Sequence, residues 1–108
     1  MLNATRYSFA GIAAAARHEA AFRELAALCV VAIPAAIWLG DNGLERAVMI
    51  AVVVLALIVE LVNAAVEATV DRISLEHHRL AKRAKDIGSA AVMIALANAA
   101  VVWLLIIL

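Results

Sequence analysis

Ala47 to Arg72 reads AVMIAVVVLALIVELVNAAVEATVDR, and this stretch decides the fold. Up to Val59 it holds no polar side chain. An α-helix needs roughly 20 such residues to cross the hydrocarbon of a bilayer. Glu60, Asn63, Glu67 and Asp71 then follow in the same segment. At the helical repeat they fall within about 80° of one another, a single stripe rising roughly 16 Å along the axis. A carboxylate at membrane depth costs roughly 3 kcal/mol on an insertion scale, so such residues face a protein interior or a wet cavity and mark function. An interhelical hydrogen-bond clamp is the plainer reading, and it suits one glutamate better than an aligned series.

Working outward, Gly88 to Leu108 has the length and apolarity of a second span. Leu25 to Leu39 is short for a third, but it can borrow length from the residues before it. Gly40-Asp41-Asn42-Gly43 is a turn. Pro34 lies inside the short span, where a membrane helix tolerates it. Thr5 to Glu24 mixes Arg6, Arg17, Glu19, Arg23 and Glu24 with alanines, Phe9, Ile12 and Phe22, which is too polar to span and predicts an amphipathic helix at the interface. The expectation is an all-α membrane protein with one domain over residues 1–108. Its interfacial helix covers about 5–24, and its transmembrane helices cover about 25–39, 47–70 and 88–108.

Composition agrees. The chain is 68% hydrophobic with a mean hydropathy of +1.03, well above a soluble domain of this size. Its formal net charge is zero, so no bulk electrostatic case for nucleic acid exists. Cys29 has no partner for an internal disulfide and is expected to be a packed thiol. No basic start, apolar core and small-residue cleavage site occur in order, so no cleavable signal peptide is expected.

Basic residues set the orientation. The N-terminal segment carries Arg6, Arg17 and Arg23, and the second loop region carries Arg72, Arg79, Lys82, Arg83 and Lys85; the first loop offers only Arg46. The positive-inside rule therefore places the N-terminus and second loop in the cytoplasm. Asp41, Glu45 and Arg46 read as turn and topology residues.

Two charged clusters could meet the stripe. Glu19 and Arg23 are one turn apart, a spacing that also suits a surface pair of little worth. The run Arg72, Glu76, His77, His78, Arg79, Lys82, Lys85 and Asp86 is most simply a solvated helix end, although Lys85 and Ser89 could present a cation and a hydroxyl to a phosphate. The adjacent His77 and His78 point in different directions on a helix, so no zinc site is expected. No GxxxxGK[ST] loop is present. Magnesium commonly bridges one or two carboxylates to substrate phosphates. The residues therefore reach Mg-phosphate chemistry at a membrane surface as one reading, and no further.

The segment VELVNAAVEATVDR (Val59 to Arg72) resembles the signature of prokaryotic diacylglycerol kinases, with its E-x-x-N-x-x-x-E-x-x-x-D spacing. The likeness continues in HEAAFRE (His18 to Glu24) and LAKRAKDIGSAAV (Leu80 to Val92), in the family's order. The resemblance implies an ATP- and Mg²⁺-dependent lipid kinase of the bacterial inner membrane, a homotrimer whose active sites are shared between subunits. It implies Glu60 as the base that takes the lipid hydroxyl's proton, Asn63 as its positioner, and Glu19 and Glu67 as holders of Mg²⁺. Tyr7, Glu19, Glu67, Asp71, Glu76, His77, His78, Lys85 and Asp86 would contact or position the nucleotide. Ala21, Phe22, Arg23, Glu24, Ser89 and Trp103 would join Glu60 on the diacylglycerol side. The sequence departs from the family in the small, apolar stretch Gly11 to Ala16 and at Leu25, where an acidic residue is expected.

Three other readings are weighed against this one. Undecaprenol kinases share the fold and most of the motif, but the blocks at His18 and Leu80 favour diacylglycerol. A small multidrug transporter would have four spans and no carboxylate stripe. A non-enzymatic membrane subunit would not depend on Glu60 or Glu67.

Overall fold

In lipid every backbone polar group must be satisfied within its own segment, which makes helix the outcome even for runs rich in valine and isoleucine. The computed structural model describes residues 2–73 and 79–108, and these form α1 (Leu2–His18), α2 (Ala20–Leu39), α3 (Gly43–Ile73) and α4 (Arg79–Ile107). The last three are each long and apolar enough to cross a membrane. Helix α3 is central, packing against α2 on one side and α4 on the other, while α1 contacts α2.

Small side chains set the crossings. Cys29 and Ala32 of α2, Val52 and Val53 of α3 and Ala99 of α4 form one buried cluster, flanked by Ile33, Leu57, Val102 and Trp103. Ala36, Met49 and Ala56 are completely buried. Close approach of this kind is how helices associate in lipid, where apolar burial offers no drive. The Cys29 thiol donates to the Val53 carbonyl at 3.5 Å, so it is packed as the sequence predicts. The Trp103 indole N–H donates to the Met49 carbonyl at 3.0 Å, tying α4 to α3. Large aliphatic and aromatic side chains face outward instead, with Val30 72%, Val31 70%, Trp38 84% and Leu105 76% exposed. That arrangement is stable only when the surroundings are themselves apolar.

The three spanning helices are longer than the hydropathy reading, and the interfacial helix is shorter. The first break falls at Glu19, whose backbone is extended at φ −116 and ψ 107, rather than after Glu24. Ala20 to Glu24 thereby join α2 and bring it to 20 residues. Helix α4 already includes Arg79, ahead of the expected Gly88, because lysine, arginine and alanine propagate a helix well outside the apolar stretch. Pro34 leaves the Val30 carbonyl without its usual donor, yet α2 runs on through it.

The α2–α3 turn is held by capping. The Gly40 N–H bonds the Ala36 carbonyl at 2.9 Å, closing α2. Asn42 Oδ1 accepts from the Glu45 N–H, and Glu45 Oε1 accepts from the Asp41 N–H, both at 2.9 Å. Together they form a capping box shifted by one residue. Arg46 Nε adds a bond to the Gly40 carbonyl at 3.2 Å. Asn42→Ala should cost about 1 kcal/mol through the lost cap, read as a lower melting temperature in detergent with helix content unchanged.

Candidate functional site

The polar stripe of α3 faces the protein. Glu60 is 4% exposed and Asn63 7%, Glu67 is half-buried, and Asp71 emerges at the surface. These residues grade from interior to exterior along one helix face, as their spacing predicts. Asn63 Nδ2 donates to Glu67 Oε1 at 3.4 Å, which links the middle of the stripe.

Helices α2 and α4 complete the site. A cavity of about 390 Å³ is lined by Glu19, Ala21, Glu60, Asn63, Glu67 and Ser89. Val92, Met93 and Leu96 supply its apolar wall. The structure thus brings together residues from the three sequence blocks. The extended backbone at Glu19 is what allows this carboxylate to reach the cavity at the junction of two helices. No glycine or proline lies nearby to make the break. The α1 end is instead satisfied from outside. The Arg23 guanidinium donates to the Ala16 carbonyl at 3.0 Å and the Arg17 carbonyl at 3.3 Å. These are last-turn carbonyls that lack helical donors, and a cation there also opposes the helix dipole. Arg23→Ala should therefore speed amide hydrogen exchange in the last turn of α1 while leaving the α2–α3 contact protected.

Beyond the cavity, Lys85 Nζ pairs with Asp71 Oδ1 at 2.5 Å, joining the ends of α3 and α4. Both partners are substantially exposed, so the pair contributes little stability and its cation can be redirected to another anion. Asp86 pairs instead with Lys82 at 2.7 Å along the surface of α4.

Other candidates lie apart. Tyr7 is 71% exposed on α1, Phe22 is packed in the interior, and Glu24 is exposed. Arg23 is engaged with the α1 carbonyls. Trp103 sits with Met49, well along α3 from Glu60, and does not line the cavity. Glu76, His77 and His78 lie outside the described residues. Val92, Met93 and Leu96 carry no chemical signal in the sequence, although their helical spacing from Ser89 places them on one face. Gly88, equally silent, sits directly against Asn63.

A second groove, about 720 Å³, runs between α1 and α3 and shares Glu19 with the first. Ala14, Ala15, Ala64, Ala65 and Ala68 give it an apolar lining of small side chains.

The donor set suits a hard cation. Among the described residues no three His, Cys, Asp or Glu side chains converge to hold a metal by themselves. Magnesium needs fewer protein ligands when phosphates complete its shell. Glu19 and Glu67 line the same cavity, and both offer carboxylate oxygens. An all-oxygen set of this kind fits Mg²⁺ bound together with a nucleotide.

Comparison with known proteins points the same way. The model of the family described as prokaryotic diacylglycerol kinase matches residues 6–107. The chain is 60% identical over 108 residues to a diacylglycerol kinase of Pseudomonas aeruginosa, covering 100% of this chain and 88% of that protein. It is 45% identical over 103 residues to the diacylglycerol kinase of Escherichia coli K12, covering 95% of this chain and 84% of that one. A diacylglycerol kinase of Haemophilus influenzae is likewise 45% identical over 103 residues, 95% of this chain and 87% of its own.

Proposed function

The chain belongs to the prokaryotic diacylglycerol kinase family, and from that premise we propose that it transfers the γ-phosphate of ATP to diacylglycerol at the cytoplasmic face of the inner membrane. The observation that carries the mechanism is the shared cavity of Glu19, Glu60, Asn63, Glu67 and Ser89.

Phosphoryl transfer asks mainly for positioning and charge stabilisation. In this reading the lipid hydroxyl enters the cavity beside Glu60. Its oxygen bonds the γ-phosphorus as the bond to the bridging oxygen of ADP breaks, and its proton passes to the Glu60 carboxylate. The apolar wall of Val92, Met93 and Leu96 excludes competing water, and Asn63 holds the polar side of the cavity in register. Glu19 and Glu67 would hold Mg²⁺, which when bound neutralises phosphate charge. Tyr7, Asp71, Glu76, His77, His78, Lys85 and Asp86 belong on the nucleotide side. Lys85 can leave Asp71 for a phosphate because their pair is exposed. Ser89, Trp103 and the Ala21 to Glu24 segment belong on the lipid side, and the alanine-lined groove beside Glu19 has the chemistry to accept an acyl chain.

The N-terminus lies in the cytoplasm, as the basic residues predict, and α1 lies at the interface. The assembly is a homotrimer. A neighbouring copy packed over α3 and α4 would shield Asp71 and Ser89, which a single chain leaves exposed.

The test is purified protein in mixed micelles with Mg-ATP, scored for labelled phosphate transfer to diacylglycerol and, in parallel, to undecaprenol. Transfer to diacylglycerol is the expected result. Transfer to undecaprenol alone would keep the chemistry and change the substrate.

A further inference from the structure

Gly88 sits in α4 where that helix crosses Asn63 of α3. Its backbone does not require glycine, since no glycine among the described residues has a positive φ. Within a helix, glycine is about 1 kcal/mol less favourable than alanine. What distinguishes the position is space. A Cβ built on Gly88 would collide with the Asn63 amide oxygen and lie 3.1 Å from its Cγ. At Gly43, by contrast, an added Cβ would meet nothing within 4 Å.

The Asn63 amide has little freedom to yield. The residue is 7% exposed, and its Nδ2 is engaged with Glu67 Oε1 at 3.4 Å. That bond decides which end of the amide faces which way: nitrogen toward Glu67, oxygen toward α4. Oδ1 makes no hydrogen bond there and rests in the room left at Gly88. A methyl group would push the amide out and draw Nδ2 off the carboxylate.

We propose that Gly88 is a positioning residue: the space left by its missing side chain seats the Asn63 amide, and through Asn63 it sets the Glu67 carboxylate in the cavity. The catalytic half of this inference rests on the reading of Glu67 given above, whereas the Gly88–Asn63 contact does not.

The experiment is a double-mutant cycle on the full chain in detergent micelles, comparing the unsubstituted protein, Gly88→Ala, Asn63→Ala and the pair, with Gly43→Ala as control. Turnover, the Mg²⁺ concentration for half-maximal rate, and melting temperature are measured for each. Gly88→Ala should lower turnover about 100-fold, as expected for a misplaced catalytic group, raise the Mg²⁺ requirement and lower the melting temperature. The double variant should be no slower than Asn63→Ala alone, and should regain the melting temperature that Gly88→Ala lost. Gly43→Ala should match the unsubstituted protein in all three. Additive melting losses would overturn the Gly88–Asn63 contact. Coupled melting with turnover unchanged in Gly88→Ala would overturn the positioning role, whereas coupled melting and lowered turnover with an unchanged Mg²⁺ requirement would locate the failure in the reading of Glu67. If Gly88→Ala alone cannot be recovered folded, a folded double variant carries the contact, and an unfolded one overturns it.

Discussion

Glu60→Gln should lower turnover by about 10² to 10⁴-fold, the range general-base catalysis supplies, while nucleotide binding stays close to that of the unsubstituted protein. The substitution keeps the size of the side chain and removes a proton acceptor. Because Glu60 is 4% exposed, a neutral amide is no harder to bury than the carboxylate, so the fold should not suffer. Its neighbours in the cavity, Glu19, Asn63 and Glu67, keep their side chains, and the nucleotide side is untouched. Labelled phosphate transfer and equilibrium binding of a non-hydrolysable nucleotide separate the two effects. Loss of nucleotide binding in this variant would give Glu60 a different role.

Glu19→Gln and Glu67→Gln should each raise the Mg²⁺ needed for half-maximal rate. Even a residue that only supports a metal ligand typically costs 10- to 100-fold in affinity when altered, and a direct ligand should cost at least about as much. One carboxylate comes from the α1–α2 junction and the other from α3, and both line one cavity, so each variant leaves the other donor in place. Glutamine at position 67 keeps an oxygen to accept from Asn63 Nδ2, so the local hydrogen bond survives while the charge is lost. Rates are to be measured across Mg²⁺ concentrations at saturating ATP. Titrations that overlay that of the unsubstituted protein would argue against shared ligation.

Much of the polar stripe is legible in the sequence. The grading of Glu60, Asn63, Glu67 and Asp71 from interior to surface follows from helical periodicity, because all four share one helix. Lys85 and Ser89 were legible as a pair for the same reason, yet they serve different neighbours: Lys85 meets Asp71, and Ser89 lines the cavity. The surroundings of Phe22 and Arg23 are not readable from their block. Phe22 packs into the interior, and Arg23 satisfies the end of α1. Their sequence neighbours Glu19 and Ala21 line the cavity. Adjacent residues on a helix point in different directions, and a motif does not say which face meets the site.

Three helical spans and one polar stripe follow from the residues alone, since lipid as solvent forces backbone groups into helices and makes any buried carboxylate conspicuous. Where the first helix breaks, that Glu19 reaches the cavity of Glu60 and Glu67, and that Gly88 packs against Asn63 are visible in the packed helices alone. Those outcomes depend on how helix axes cross. A crossing is set by side chains on both partners together, and no periodicity along a single helix records it.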